Sequence, residues 1–371
     1  MKILNVVGAR PNFMKIAPLM EEMGNCSDLS PVLVHTGQHY DEVMSHLFFV
    51  ALGIPKPDIN LEVGSGTHAK QTAAIMERFE SVVLSEKPDL VLVVGDVNST
   101  IACALTAVKL GVPVAHVEAG LRSFDRTMPE EVNRVLTDAI SDYLFTTEAS
   151  AKQNLLREGV AEGKIHFVGN VMIDTLLKHK QKADASDILG KMELKEKGYG
   201  LVTLHRPSNV DCPDLLDGIL TALYRIAEEI PLLFPCHPRT IEKVTRFSQR
   251  WKARHSSQTK HSGRLKVIDP VGYIDFLKLM SEAKVVLTDS GGIQEETTIL
   301  GVPCLTLREN TERPVTVSEG TNVIVGTNPE RIVEETMKVL TGCAVKGKIP
   351  EYWDGKAAAR IVQVLSELPA C

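Results

Sequence analysis

"KILNVVGARPNFMKIAPLMEEM", residues 2–23, sets the pattern that the rest of the chain repeats. Its first six residues form a short apolar run typical of a buried β-strand. A segment with helical periodicity follows Gly8, with Pro11 near its start. The same alternation continues through "PVLVHT", "DLVLVVGD", "VPVAHVE", "DYLFTT" and "KIHFVG". Short β-branched runs separated by helices predict parallel strands buried on both faces, and therefore a doubly wound α/β fold.

The alternation stops in a polar, helical stretch, 168–198, and restarts at "YGLVTLH". We therefore predict two Rossmann-like domains, 1–170 and 171–346, and a C-terminal helical segment, 347–371. A chain of 371 residues is long enough to bury a separate core in each domain. Two such domains would face each other across a cleft, and ligands of open α/β sheets bind at the carboxyl ends of the strands.

Composition narrows the class of function. The formal net charge is −6 and the chain contains no block of basic residues, which argues against a protein that binds nucleic acid. Its seven cysteines are scattered and form no C-x-x-C pair, a usage that favours reduced thiols. No apolar stretch approaches the roughly 20 residues of a membrane span. We expect a cytoplasmic protein that does not associate with membranes.

Polar residues follow the strands of the first domain. In "GARPNFMK" (8–15), Arg10 and Lys15 flank the start of a helix, whose free N–H groups favour a phosphate. Asp96 ends a strand in "VGDVNST", where a role as the N-cap of the next helix and a catalytic role explain it equally well. Glu118 ends the apolar strand of "HVEAGLR", where an unpartnered carboxylate would be costly.

A third carboxylate, Glu131, stands in the first turn of a helix that Pro129 is expected to start. Because the carboxyl ends of neighbouring parallel strands meet at one edge of a sheet, Asp96, Glu118 and Glu131 can converge there. Such a cluster suits the removal and return of a proton at one carbon.

The second domain offers candidate anion ligands. His205 in "TLHRPSN" and His237 in "PCHP" lead out of two strands, and "DSGGIQEE" (289–296) is a Ser-Gly-Gly turn that opens a helix. Arg313 either holds an anion or pairs with a nearby glutamate. The "GSGTHA" motif lacks the strand-helix context of a dinucleotide site, and no carboxylate-rich triad accompanies the histidines of "HTGQH". We therefore expect neither a nicotinamide nor a metal cofactor.

Eight ordered blocks carry a resemblance to a known family: "GARPNFMKIAPL", "TGQHYDEVM", "VVGDVNST", "HVEAGLRSFDRTMPEEVNR", "VGNVMIDTL", "TLHRPSN", "LTDSGGIQEE" and "TERPVTVSEGTNVIVGT". Over essentially its whole length the chain resembles the non-hydrolysing UDP-N-acetylglucosamine 2-epimerases. The resemblance implies the GT-B fold, a final helix that crosses back to the first domain, and a homodimer. It also implies conversion of UDP-GlcNAc to UDP-ManNAc, used in cell-surface polysaccharides, through loss and re-addition of UDP across C1–C2.

The resemblance also implies roles for individual residues. The positions that match the acid/base machinery are Asp96, Glu118, Glu131 and His205. The positions that match the UDP-sugar contacts are Arg10, Lys15, Phe276, Ser290, Gly291, Gly292, Glu296 and Arg313. The positions assigned to a regulatory second-nucleotide site are Gln38, His39, Gln71 and His237.

Some positions depart from the family pattern and leave alternatives open. Pro207 stands where members activated by UDP-GlcNAc carry an arginine, and Asp41 and Lys70 replace a glutamine and an arginine. "TGQHYD" and "LRSFDRTMPEE" are also similar to the subgroup that includes epimerases of UDP-2,3-diacetamido-glucuronate. A GT-B glycosyltransferase is the alternative of a different class, although glycosyl transfer needs no base at C2.

Overall fold

The computed structural model describes residues 1–38, 52–236, 238–255 and 264–368. Within these ranges the chain divides into two compact units. Unit 1 comprises Met1–His179 and Pro350–Cys371, and unit 2 comprises Lys180–Ile349. The division therefore falls inside a helix, nine residues after the boundary at 170 that the sequence suggested. No helix in the described ranges is long and apolar enough to cross a membrane.

Each unit is built on one parallel sheet, as the alternating pattern predicts. The described strands of unit 1 are β1 Lys2–Val7, β2 Ser30–His35, β3 Ile59–Asn60, β4 Leu90–Val94, β5 Val114–Ala119, β6 Tyr143–Thr146 and β7 Ile165–Phe167. Those of unit 2 are β8 Gly200–Thr203, β9 Leu232–Pro235, β10 Leu265–Ile268, β11 Val285–Thr288, β12 Cys304–Thr306 and β13 Asn322–Ile324. The strand orders are β3-β2-β1-β4-β5-β6-β7 and β10-β9-β8-β11-β12-β13.

Helices connect these strands. In chain order they are α1 Arg10–Gly24, α2 His68–Glu86, α3 Asn98–Lys109, α4 Pro129–Ile140, α5 Ala149–Arg157, α6 Val171–Asp184, α7 Ile188–Met192, α8 Pro207–Val210, α9 Pro213–Glu229, α10 Pro238–His255, α11 Tyr273–Ser281, α12 Gly291–Leu300, α13 Pro314–Ser318, α14 Pro329–Leu340 and α15 Ala357–Ser366. Proline starts several of them, where its missing N–H costs nothing. The central strand β4 is buried along its whole length, as expected for a parallel strand covered by helices on both faces.

The last segment of the chain is fastened to unit 1. The indole N–H of Trp353 donates to the carbonyl of Thr147 at 2.9 Å. The carboxylate of Asp174 accepts the backbone N–H groups of Ala357 and Ala358 at 3.2 and 2.7 Å, so it caps the N-terminus of α15. Within the predicted C-terminal helical segment, 347–371, the described helix covers only Ala357–Ser366, because Gly355, at φ +78°, makes a turn just before it.

Candidate functional site

Both sheets contain a switch point, at which successive strands are added on opposite sides. In unit 1 it lies between β1 and β4, and in unit 2 between β8 and β11. Ligands of open α/β sheets bind outside the carboxyl ends of the strands at such points. The side chains that follow β4 and β5 in unit 1, and β8, β11 and β12 in unit 2, are therefore the candidates for function.

Asp96 follows β4 and is paired with an arginine. The Nη2 atom of Arg134 lies 2.5 Å from a carboxylate oxygen of Asp96. The N-cap residue of α3 is Val97, and its side chain makes no capping bond, so the alternative that Asp96 caps this helix is wrong. Arg134 is buried and also contacts Glu131 on the same helix through Nη1. One guanidinium thus joins two carboxylates of the predicted cluster.

Glu131 sits in a cradle of hydrogen-bond donors. Its Oε2 accepts the backbone N–H and the hydroxyl of Ser123, and its Oε1 accepts the N–H of Phe124, each at 2.9 Å. Burial raises the pKa of Glu131, but the bonds from Ser123 and the charge of Arg134 outweigh burial and hold the pKa below its usual value. Glu131 is therefore ionised at neutral pH, and each of its oxygens already accepts a hydrogen bond.

Glu118 occupies a strained position at the end of β5. Its φ is +74°, a left-handed conformation that costs a residue with a side chain about 1–3 kcal/mol. The register between β5 and β6 shifts at this point, between Val117 and Ala119. The buried ammonium of Lys15 lies 2.7 Å from both carboxylate oxygens of Glu118. Lys15, expected among the contacts of a phosphate, has a carboxylate as its nearest charged group.

His205 follows β8 in unit 2 and is the exposed member of a pair. Its Nδ1 lies 3.0 Å from a carboxylate oxygen of the wholly buried Asp289, which follows β11. Asp289 also accepts the backbone N–H groups of His205 and Arg206. Burial raises the pKa of Asp289, but the hydrogen bonds from His205 and Arg206 lower it by a larger amount. The net shift of the pKa is therefore downward. Asp289 fixes one ring nitrogen of His205, and half of the imidazole remains open to solvent.

The turn that opens α12 packs closely against two charged side chains. Ser290 is the N-cap residue, and the helix begins with Gly291 and Gly292. A Cβ atom at Gly291 would lie 2.9 Å from a carboxylate oxygen of Glu312 and 3.4 Å from Arg313. Only glycine fits there without displacing these side chains. The first turn of α12 therefore presents backbone N–H groups beside an arginine, as an anion site requires.

The charges around this turn are unequal in number. Glu312 pairs with Arg206, Arg308 and Arg313 at 3.3, 2.9 and 3.5 Å, and Arg313 Nε also donates to Glu295 at 3.0 Å. The described contacts thus join three guanidinium groups to two carboxylates. Of the two explanations open for Arg313, the ion pair is observed.

Glu296 lies one position beyond Glu295 and does not take part in this network. It is buried, and its Oε1 accepts the hydroxyl of Tyr273 at 2.9 Å. Burial raises its pKa to about 7, with a smaller upward contribution from Glu295 and a downward one from the Tyr273 hydroxyl. Phe276 is half-buried on α11, one turn after Tyr273. An ionisable acceptor and an aromatic ring therefore belong to neighbouring helices of unit 2.

The residues that match a regulatory site are only partly described. Gln38 Oε1 accepts the backbone N–H and the hydroxyl of Ser99, at 3.0 and 2.7 Å, and Gln71 Nε2 donates to the Gln38 carbonyl at 3.0 Å. Both glutamines are thereby tied to the start of α3, just beyond Asp96. His39 and His237 lie outside the described residues, as does the side chain of Arg10.

Several residues of these clusters were not singled out from the sequence. Arg134 lies three positions after Glu131, a spacing that places both side chains on one face of a helix and could have revealed the pair. Asp289 follows the apolar run "VVLT", the same signal that identified Asp96. Tyr273 carries no local signal, because its partner Glu296 is 23 residues away.

Comparisons with known proteins identify a family for the chain. A profile described as UDP-N-acetylglucosamine 2-epimerase matches residues 21–366. The chain is 43% identical over 371 residues to the UDP-N-acetylglucosamine 2-epimerase of Methanocaldococcus jannaschii, covering 99% of each protein. It is also 43% identical to the UDP-2,3-diacetamido-2,3-dideoxy-D-glucuronate 2-epimerase of Pseudomonas aeruginosa, covering 99% of this chain and all of that protein.

Among solved structures, the fold matches the crystal structure of the Methanocaldococcus jannaschii UDP-GlcNAc 2-epimerase in complex with UDP-GlcNAc and UDP. The TM-score is 0.88, the identity is 43%, and the match covers 99% of both chains. This agreement confirms the predicted fold class, an α/β protein with two Rossmann-like parallel sheets of the GT-B type.

Proposed function

The chain belongs to the UDP-N-acetylglucosamine 2-epimerase family, and we propose that it interconverts UDP-GlcNAc and UDP-ManNAc. The observation that supports this reaction most directly is the group of carboxylates at the ends of β4 and β5. Asp96 and Glu118 follow adjacent strands, and each is held by a cation, Arg134 or Lys15. Two carboxylates fixed at neighbouring strand ends suit a reaction that removes a proton from one face of a carbon and returns it on the other.

The reaction proceeds by elimination and re-addition. A carboxylate takes the C2 proton, the C–H electron pair becomes the C1–C2 double bond, and the C1–O bond to UDP breaks with UDP leaving as an anion. The intermediate is 2-acetamidoglucal. UDP then attacks C1, and a proton is delivered to the opposite face of C2. The C2 proton is weakly acidic, and a well-placed acid or base contributes roughly 10²–10⁴-fold to the rate.

Asp96 and Glu118 are the carboxylates that we assign to the two proton transfers. Glu131 differs from them, because its pKa is lowered and its oxygens are occupied by donors from Ser123 and Phe124. We assign Glu131 to orienting Arg134, and through it Asp96. The ammonium of Lys15 would compensate the negative charge of Glu118 rather than that of the phosphates.

Unit 2 would bind and release UDP. The first turn of α12, at Ser290, Gly291 and Gly292, provides N–H groups for the diphosphate, and the neighbouring guanidinium of Arg313 favours its charge. His205, oriented by Asp289, would donate a hydrogen bond to the leaving phosphate. Glu296 would accept hydrogen bonds from the ribose hydroxyls, and Phe276 would lie against uracil. Arg10 would contact the phosphates from unit 1.

A direct comparison of two substrates identifies the sugar. The equal identity of 43% to the Methanocaldococcus and Pseudomonas relatives does not separate UDP-GlcNAc from UDP-2,3-diacetamido-glucuronate. "LRSFDRTMPEE" favours the second substrate, and the profile match favours the first. A glycosyltransferase would share the UDP contacts but has no need of two carboxylates beside C2.

We further propose that the protein is a homodimer that acts in the cytoplasm and supplies a precursor of cell-surface polysaccharides. The resemblance supports the dimer and the pathway, and the free state of the six described cysteines supports a reducing compartment. Gln38, His39, Gln71 and His237 would belong to a second nucleotide site, which Pro207 puts in question for this chain.

Solvent exchange at C2 tests this function. The purified protein is incubated in D₂O with UDP-GlcNAc and, separately, with UDP-2,3-diacetamido-glucuronate, and the recovered UDP-sugars are examined by NMR. The proposal predicts deuterium at C2 together with the 2-epimer of one substrate. Asp96→Asn serves as the control, since it keeps the fold and the UDP contacts of unit 2. Binding of both substrates without exchange at C2 would refute epimerisation.

A further inference from the structure

A buried histidine–aspartate pair lies directly behind the carboxylates of unit 1. His116 is in the middle of β5 and wholly buried, and its Nδ1 lies 2.6 Å from Oδ1 of Asp138 on α4. Its Nε2 lies 2.8 Å from the backbone carbonyl of Gly95, the residue before Asp96. Neither His116 nor Asp138 reaches solvent, so neither can contact substrate itself.

Each ring nitrogen of His116 faces a hydrogen-bond acceptor. The Gly95 carbonyl can only accept a hydrogen bond, and the pKa of Asp138 is lowered, because His116 and Arg122 outweigh the effect of burial. Arg122 holds Asp138 from the other side and also pairs with the partly exposed Glu158.

The pair holds the backbone on both sides of the reacting carboxylates. The N–H of Gly95 donates to the carbonyl of Val117 at 3.0 Å, and its own carbonyl accepts from His116. Asp138 Oδ2 accepts the N–H of Gly120, at 3.0 Å, two residues after the strained Glu118. A single side-chain pair therefore fixes the main chain immediately before Asp96 and immediately after Glu118.

We propose that His116 and Asp138 are positioning residues of the epimerase, which set the separation of Asp96 and Glu118. The inference rests on the proposed function. Arg134 and Lys15 hold the ends of the two carboxylate side chains, whereas His116 and Asp138 hold the backbone from which they extend. A misplacement of about 1 Å can cost an enzyme roughly 10²-fold in rate, so loosening either strand end should slow proton transfer.

Two substitutions of His116 separate positioning from packing. In His116→Gln the amide nitrogen lies near the place of Nε2 and keeps the bond to Gly95. In His116→Asn it lies near the place of Nδ1 and keeps only the bond to Asp138. Both variants replace the imidazole with an uncharged amide, so they differ in where the amide nitrogen lies. We expect kcat to fall about 30–100-fold in His116→Asn and less than about fivefold in His116→Gln, with KM unchanged within about twofold in both.

A purely structural role would lower stability in both variants and reduce kcat only in proportion to the folded fraction. Equal kcat per folded molecule in the two variants would therefore overturn the positioning role. If His116→Asn does not fold, Asp138→Asn provides the test. Its amide oxygen can accept from Gly120 and Arg122, and its amide N–H can donate to a neutral His116 that still reaches Gly95. We expect it to keep at least about a third of kcat, and a tenfold loss in folded protein would refute the geometric account.

The wild-type protein distinguishes a failure of the positioning role from a failure of the proposed function. Exchange of the C2 proton by wild type, without the difference between the His116 variants, would overturn the positioning role alone. Absence of exchange by wild type with either UDP-sugar would overturn the proposed function, and the positioning role with it.

Discussion

The raised pKa of Glu296 makes a specific prediction for nucleotide binding. Burial shifts its pKa to about 7, so close to neutral pH the side chain changes between a neutral acid and a carboxylate. If it accepts hydrogen bonds from the ribose hydroxyls, the ionised form is the one that binds. With a pKa of about 7, roughly a tenth of the protein is competent at pH 6 and roughly nine tenths at pH 8. Affinity should therefore rise about ninefold between these values, with the midpoint near pH 7.

UDP-GlcNAc is the suitable ligand, because its doubly esterified diphosphate does not titrate between pH 6 and pH 8. Calorimetry with the Asp96→Asn variant avoids turnover, and the release of a proton at low pH should appear as a dependence of the heat on buffer. Tyr273→Phe removes the hydroxyl that lowers the Glu296 pKa, so its midpoint should move to higher pH. Glu296→Gln should bind more weakly at pH 8 and lose the pH dependence. A flat affinity between pH 6 and pH 8 in the Asp96→Asn protein would contradict ribose binding by an ionised Glu296.

Three further predictions concern unit 1. Glu118→Gln should lower kcat by two or more decades while the Kd for UDP stays within about twofold, because Glu118 is not among the proposed UDP contacts. Steady-state kinetics and calorimetry measure both constants, and a near-normal kcat would contradict the assignment. Phe124→Gly should have a higher free energy of unfolding in urea than Phe124→Ala, by up to about 1 kcal/mol. The reason is that φ of residue 124 is +59°, which favours glycine, while the exposed ring contributes little packing in wild type. Burial raises the pKa of Asp174 to about 6, so this carboxyl binds a proton more tightly in the folded than in the unfolded protein. The free energy of unfolding of wild type should therefore increase relative to that of Asp174→Asn as pH falls from 8 to 5. Urea unfolding measures this difference, and a difference that stays constant with pH would contradict the raised pKa.

The sequence was most informative where the signal is local. The run "DLVLVV" is buried on both faces and stands next to a polar residue, so both β4 and the place of Asp96 at its end were predictable. β13 did not appear in the alternation because only Asn322–Ile324 form the strand. The start of the last helix was also not predicted, because the turn at Gly355 delays it to Ala357. Nothing in the residues of this helix specifies the unit against which it packs.

The partners of the candidate residues were beyond local reasoning. Arg134 reaches Asp96 across 38 residues, and Lys15 reaches Glu118 across 103, so only the assembled sheet brings them together. The electrostatic state of each carboxylate depends on those partners. Glu131 was expected to take part in proton transfer, yet donors from Ser123 keep its pKa low. Residue types and strand ends can thus be predicted, but protonation cannot.

The route of the chain through its two units has a consequence for the order of biosynthesis. Unit 2 is formed from one continuous stretch, 180–349, whereas unit 1 needs residues from both ends of the chain. During translation unit 2 can acquire its core as soon as its own residues have emerged. Unit 1 must wait for Trp353 and for the two N–H groups that Asp174 caps. The half that carries Asp96 and Glu118 would therefore be the last to become native, and a ribosome that stopped before residue 350 would release a chain with the core of unit 2 complete and unit 1 unfinished.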